Sequence, residues 1–222
     1  DHISQRTLRL DAVEILVLDE ADHMLDMGFI HDLRKIATIL PRQRQTLFFS
    51  ATMPTSIEEL AAQFLDKPSR IAVAAVSSTA ERVEQVVVHV DQSKKQDLLH
   101  AMLADKSIKR ALVFSRTKHG ADRVSKKLES AGFSADAIHG NKSQGQRTRA
   151  LDGFKKGQTR ILVATEVAAR GIDVDDITHV FNFDLPNVPE QYVHRIGSTA
   201  RAARTGVAVS FCAPDERAYL RD

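Results

Sequence analysis

The stretch VEILVLDEAD, Val13 to Asp22, decides how the chain is built. Five of its first six residues are apolar, and three acids follow: Asp19, Glu20 and Asp22. An apolar run of this length, rich in Val, Ile and Leu, predicts a strand buried on both faces of a parallel sheet. The acids then stand where the strand ends, the edge at which open α/β sheets bind ligands. A plainer reading is that acids ahead of MLDMGF only favour a helix N-terminus through its dipole.

A hydrophobic strand that delivers acids to a sheet edge is the Walker B arrangement of nucleotide hydrolases. There, one Asp holds Mg²⁺ and the next acid handles the attacking water. Downstream, a short helical stretch precedes a helix near His31 to Leu40, which Pro41 stops. Gln45 to Phe49, QTLFF, predicts a second buried strand with Ser50-Ala51-Thr52 at its end. Thr55 and Glu58 spell a T-x-x-E capping box, predicting a helix over Ile57 to Leu65. Lys67-Pro68 ends it, and Arg70 to Val73 reads as a third short strand.

Residues 1–75 therefore read as the back part of a first α/β lobe. The polar segment VSSTAERVE, Val76 to Glu84, reads as a linker. From residue 85 the pattern alternates again. Strands are expected at Gln85–Val90, Ala111–Phe114, Ala135–His139, Arg160–Ala164, Thr178–Phe183 and Gly206–Phe211. Helices are expected at Ser93–Leu103, at His119–Ala131 closed by Gly132, and between a Ser143 cap and Gly157. Pro214 to Asp222 reads as a last helix. The βαβα order implies a parallel sheet with helices on both faces.

The chain has 222 residues and a formal net charge of +2, enough for two small domains and too little charge for a histone-like polycation. Cys212 is the only cysteine, which excludes an internal disulfide and a cysteine zinc cluster and suits a reducing, cytoplasmic setting. No stretch is long and apolar enough to span a membrane as a helix. The chain opens on Asp1 and contains no G-x-x-x-x-G-K-[ST] phosphate loop, so a fragment cut at both ends is expected.

Several strand ends carry residues suited to phosphate. LVFSRTK, Leu112 to Lys118, puts hydroxyls and backbone N–H groups where a strand enters a helix, which suits a phosphate or an ordinary helix cap. IHGNKSQGQR, Ile138 to Arg147, places Gly140 at a strand end and Arg147 near a helix N-terminus. An arginine there opposes the dipole, so an anionic partner is expected, either RNA phosphate or a nearby carboxylate. ILVATEVAARGIDV, Ile161 to Val174, and YVHRIGSTARAARTG, Tyr192 to Gly206, add further arginines.

Residues 19–22 spell D-E-A-D, and with these motifs in this order the chain resembles the DEAD-box RNA helicases, in its details the bacterial RhlE-type subgroup. The resemblance implies two RecA-like parallel-sheet lobes, the first incomplete (1–75) and the second complete (85–222), facing each other across a cleft. It implies an ATP- and Mg²⁺-dependent enzyme that unwinds or remodels RNA, with RNA-processing or ribosome-assembly proteins as partners. Asp19 would hold Mg²⁺, Glu20 the attacking water, and Asp22 would connect to Ser50 and Thr52. Thr117, Gly140, Arg147 and Thr165 would contact RNA. Arg170, Gly171 and Asp173 would contact the nucleotide, Arg170 through its planar fork.

His194, Arg195, Gly197 and Arg201 match the sixth motif, H-R-x-G-R-x-x-R, and the resemblance implies that His194, Arg195 and Arg201 serve catalysis, Arg201 also binding ATP. At position 198 the family places an arginine finger, and this chain has Ser198. Two rivals are weighed. A DNA helicase of the same superfamily is disfavoured by Asp22 and His194. A non-hydrolysing RNA clamp or annealer is favoured by Ser198 and the missing phosphate loop.

Overall fold

The computed structural model describes residues 2–26, 28–72, 83–169, 172, 174, 176–199 and 205–221. The chain divides into two compact units, Asp1–Val73 and Ala74–Asp222.

In the first unit, β1 (Ile15–Leu18) pairs in parallel with β2 (Gln45–Phe48), joined through α1 (Ala21–Asp26) and α2 (Ile30–Ile39) and followed by α3 (Thr55–Phe64). Leu16, Leu18 and Phe48 point into a core with Leu33, Leu60 and Phe64. The opposite face corrects the expectation of burial on both sides: Ile15 is 59% and Val17 53% exposed, and Leu47 and Phe49 are exposed beside them. The helices of this unit cover one sheet face only, so the alternation of a strand separates the two sets of side chains.

Three further expectations need correction. Thr55 and Glu58 form no capping box. Pro54 is the N-cap, its carbonyl accepts from the backbone N–H groups of Ile57 and Glu58, and Thr55 lies inside the first turn. Glu58 faces Arg70 instead, at 3.8 Å. Residues 70–72 are not a strand, since no strand among the described residues pairs with them, and Val73 lies outside the described residues. Of the linker, 76–82 lie outside the described residues, whereas Val83 and Glu84 already belong to a strand paired with Gly206 and Val207.

The second unit is a six-stranded, all-parallel sheet. Its strands are β3 (Val83–His89), β4 (Ala111–Phe114), β5 (Ala135–Ile138), β6 (Ile161–Ala164), β7 (His179–Asn182) and β8 (Gly206–Cys212), in the spatial order β3-β8-β7-β4-β6-β5. Its helices are α4 (Lys95–Leu103), α5 (Lys118–Ser130), α6 (Gln144–Lys155), α7 (Glu166–Ala169) and α8 (Pro189–Ile196). Strand alternation sends Ala111, Val113, Ile161 and Val163 to a core shared with α4 and α5. It sends Leu112, Phe114, Leu162 and Ala164 to the other face, against α6 and α7.

Ser143 caps α6 in a full capping box with Gln146, and Gly157 past its end takes φ +72°, which glycine adopts without strain. The expected last helix is a 3-10 turn, Pro214–Glu216, followed by turns. Its Glu216 side chain is drawn into the core rather than left on a helix surface.

Candidate functional site

In the first unit the two strand ends are stitched together. Phe49 N donates to Leu18 O at 2.7 Å and Ala21 N to Phe49 O at 3.1 Å. Asp19 is exposed, and its Oδ1 accepts from Glu20 N at 2.9 Å. Glu20 is exposed and takes φ +51°, a left-handed conformation that costs a non-glycine residue roughly 1–3 kcal/mol. Asp22 Oδ2 accepts twice from Thr52, from N and Oγ1, each at 2.9 Å. Ser50 Oγ accepts from Asp22 N at 3.1 Å and donates to Thr52 O at 2.8 Å. Ser50-Ala51-Thr52 is thus bonded to the acidic stretch on both sides. Asp22 also stands in the first turn of α1, so the dipole reading and the strand-end reading describe the same acid.

In the second unit, four parallel strands end side by side, and three of these carboxyl ends carry the singled-out residues. β4 ends at Ser115–Thr117, β5 at His139–Gly140, β6 at Thr165, and β7 at Phe183–Asp184. Thr117 caps α5, its Oγ1 accepting from Gly120 N at 2.9 Å. A hydroxyl that accepts this bond still has its own proton to donate. A Cβ at Gly120 would collide with Ser115 Oγ, so a larger residue there would force that hydroxyl to move. Thr165 carries no hydroxyl hydrogen bond among the described residues, and Gly140 is exposed.

His139 is buried, with Nε2 3.0 Å from Asp122 Oδ1, and its Nδ1 accepts from Asn141 N at 3.3 Å. Burial raises the Asp122 carboxyl, but the close approach of His139 and Lys142 outweighs it and holds Asp122 below the ordinary carboxylate range. Arg147 is half-buried, and no carboxylate pairs with it among the described residues. Its Nε is buried without a hydrogen-bond partner.

The sixth-motif helix, α8, divides its residues. His194 is exposed. Arg195 is 2% exposed. Its Nε donates to Glu166 Oε2 at 2.7 Å, Nη1 donates to Asp184 O at 2.8 Å and Asn182 Oδ1 at 3.3 Å, and Phe114 lies 4.9 Å beneath it. Desolvation pulls the Arg195 guanidinium down from its ordinary value, against the pull of Glu166. The bonds of Arg195 tie α8 to α7 and to the end of β7. Arg170, Gly171, Asp173 and Arg201 lie outside the described residues.

Ser198 lies at the opposite, amino edge of the sheet. It is 8% exposed and opens on a 610 Å³ cavity that Lys109, Arg110, Thr178 and Thr205 also line.

Sequence reasoning missed Asp184. Its Oδ2 accepts from Ser115 Oγ and Arg116 N, both at 2.9 Å, so it shapes the β4 strand end. The signal was present, since the run HVFNFD ends in an acid just as VEILVLDEAD does. Glu216 was missed too, and nothing local in the sequence marks it.

The DEAD/DEAH box helicase model matches residues 1–60 and the helicase conserved C-terminal domain model matches 93–203. The chain belongs to the DEAD-box helicase family.

As a family member it is 48% identical over 221 residues to the ATP-dependent RNA helicase CshA of Listeria monocytogenes. It is 46% identical to the DEAD-box ATP-dependent RNA helicase CshA of Bacillus subtilis. It is covered fully by these matches but spans only 42% and 45% of those proteins. Among solved structures, S. cerevisiae Dbp5 L327V bound to RNA and ADP BeF3 matches with TM-score 0.89 at 29% identity, over the whole chain and 59% of that protein. A DEAD box protein from Methanococcus jannaschii matches with TM-score 0.61 at 42% identity, over the whole chain and 60% of that protein. The finer RhlE-type assignment is not carried by these relatives, which bear the name CshA.

Proposed function

We propose that the chain is part of an ATP-dependent RNA helicase, with residues 1–75 from its ATP-binding lobe and 85–222 its second lobe. The observation that carries this reading is the row of adjacent strand ends in the second unit. These bring Thr117, Gly140 and Thr165 to one edge of one sheet. Hydroxyls and exposed backbone there suit a sugar–phosphate chain and carry no base code, so binding is largely independent of sequence.

In the first unit, Asp19 fits a water-mediated Mg²⁺ ligand. It is exposed at a strand end, and one carboxylate oxygen is steadied by Glu20 N. No cluster of three or more His, Cys, Asp or Glu side chains able to hold a metal exists among the described residues. That suits an ion bound through few carboxylates, water and phosphates. Bound there with ATP, Mg²⁺ would neutralise charge on the phosphates. Glu20 would orient the attacking water. Asp22, through Ser50 and Thr52, would pass the state of the acidic edge to the β2 strand end. The nucleotide contacts of Arg170, Gly171, Asp173 and Arg201 rest on the family motifs alone. No described helix is long and apolar enough to cross a membrane, and we place the protein in the cytoplasm.

Fluorescence anisotropy with matched single-stranded RNA and DNA tests this reading on the chain itself. Preference for RNA, with little difference between RNA sequences, is expected. Equal affinity for DNA, or strong dependence on RNA sequence, would contradict it.

A further inference from the structure

Arg116 stands between Ser115 and Thr117, and its side chain is 37% exposed, yet it is firmly anchored. Its Nη2 donates to Glu216 Oε1 at 2.9 Å and to Leu185 O at 3.1 Å. The Tyr219 ring lies 5.2 Å from its guanidinium carbon. These two bonds take both hydrogens of Nη2. The donors of Nε and Nη1 have no partner among the described residues.

The anchor is deeply buried. Glu216 accepts from Leu185 N at 3.2 Å, from Ala213 N at 3.1 Å and from Lys95 Nζ, and Lys95 is completely buried. Lys95 Nζ also donates to Phe183 O at 2.7 Å and stands 3.8 Å from Asp184. A buried ion pair adds little net stability once its desolvation is counted. What this one does is fix geometry: it binds the last turn of the chain to the end of β7 and holds an exposed guanidinium from below. Ordering that long side chain in advance removes a cost that ligand binding would otherwise carry. Lys95 also offsets Asp184, the acid beneath the segment, so the edge is not left negative.

We propose that Arg116 is a phosphate-binding residue for RNA, presented beside Thr117 by the buried Lys95–Glu216 pair. This rests on the reading of the carboxyl edge as an RNA-binding edge. The three remaining guanidinium donors match phosphodiester oxygens, and Lys95 and Glu216 act only as positioning residues.

The test is anisotropy of the 222-residue chain with a labelled oligouridylate over a series of KCl concentrations. For single strands, each neutralised phosphate contributes about 0.7 to the salt slope. Arg116→Ala should lower the slope by about that amount and weaken binding roughly three- to tenfold at low salt. Lys127→Ala, which removes an equal charge from the last turn of α5, should change neither. Lys95→Met with Glu216→Gln keeps the Arg116 charge but frees it, and should weaken binding by roughly two- to fivefold, less than the loss of the contact itself. Wild-type binding with an unchanged slope in Arg116→Ala would overturn the proposal alone, and wild-type affinity in the folded double variant would overturn the presenting role. No RNA binding by the unmodified chain would overturn the RNA reading and this proposal with it. Arg116 is at the surface, so its variant decides even if the double variant fails to fold.

Discussion

Asp22 and Thr52, thirty residues apart, meet at a single carboxylate oxygen that takes both the backbone N–H and the hydroxyl of Thr52. Two donors on one ionised acceptor make a stiff joint, because hydrogen bonds to a charged group are the stronger kind. Thr52→Val removes the hydroxyl and keeps the shape. It should cost about 1–2 kcal/mol in urea denaturation of the first unit. A double-mutant cycle with Asp22→Asn should show coupling of at least about 0.5 kcal/mol. Additive losses would mean that the two residues are neighbours without being joined.

Glu20 makes the opposite bargain. Its left-handed backbone, φ +51°, is a conformation that glycine adopts freely. Glu20→Gly should therefore leave the first unit as stable or raise its stability by about 0.5–1 kcal/mol, although the carboxylate meant for water is gone. Calorimetry of the two proteins checks this, and a clear loss of stability would show that the Glu20 side chain holds the fold.

His179 supplies a pH dependence. Burial lowers its pKa below the ordinary 6.5, with Asp105 and Glu84 opposing only in part. Its folded form therefore prefers to be neutral, and the unfolded chain binds more protons. Stability is complete above the unfolded value of 6.5 and falls as pH drops from there through the lowered folded value. His179→Gln should flatten the slope of unfolding stability between neutral and mildly acid pH. An unchanged slope would assign it to another group.

The second unit was legible because its strands are short apolar runs with turn chemistry between them. Ala111–Phe114 and the Ser143 cap appear where the pattern placed them. The first unit misled at Val13–Asp22. An apolar run says that a strand wants two covered faces, not that both are covered, and Ile15 and Val17 lie open. Thr55 misled because its neighbour Pro54 takes the cap position. The sixth motif singles out Arg195 but not its surroundings. Only tertiary structure reveals that Glu166, Asn182 and Asp184 enclose it. Lys95 and Glu216 are 121 residues apart, a pairing that no local pattern announces.

Ser198 opens on a cavity already lined by Lys109 and Arg110, so an added cation there has room but also like-charged neighbours. An arginine finger contributes roughly 10³ to 10⁵ in rate in phosphoryl transfer. In a chimera that joins this chain to the portions of the Bacillus subtilis relative it does not match, Ser198→Arg should raise ATP turnover by about tenfold, near 1.4 kcal/mol. RNA affinity should stay within about threefold. Equal turnover would show that the chain does without a cation at this position.

The same chimera gives the most direct test of the central claim, through strand separation of a short RNA duplex followed with and without ATP. Unwinding is expected to require ATP and to be lost in Glu20→Gln, a variant that should keep RNA binding. RNA binding with no ATP-dependent strand separation, from a chimera whose parent relative unwinds the same duplex, would contradict that claim and leave a clamp in place of a helicase.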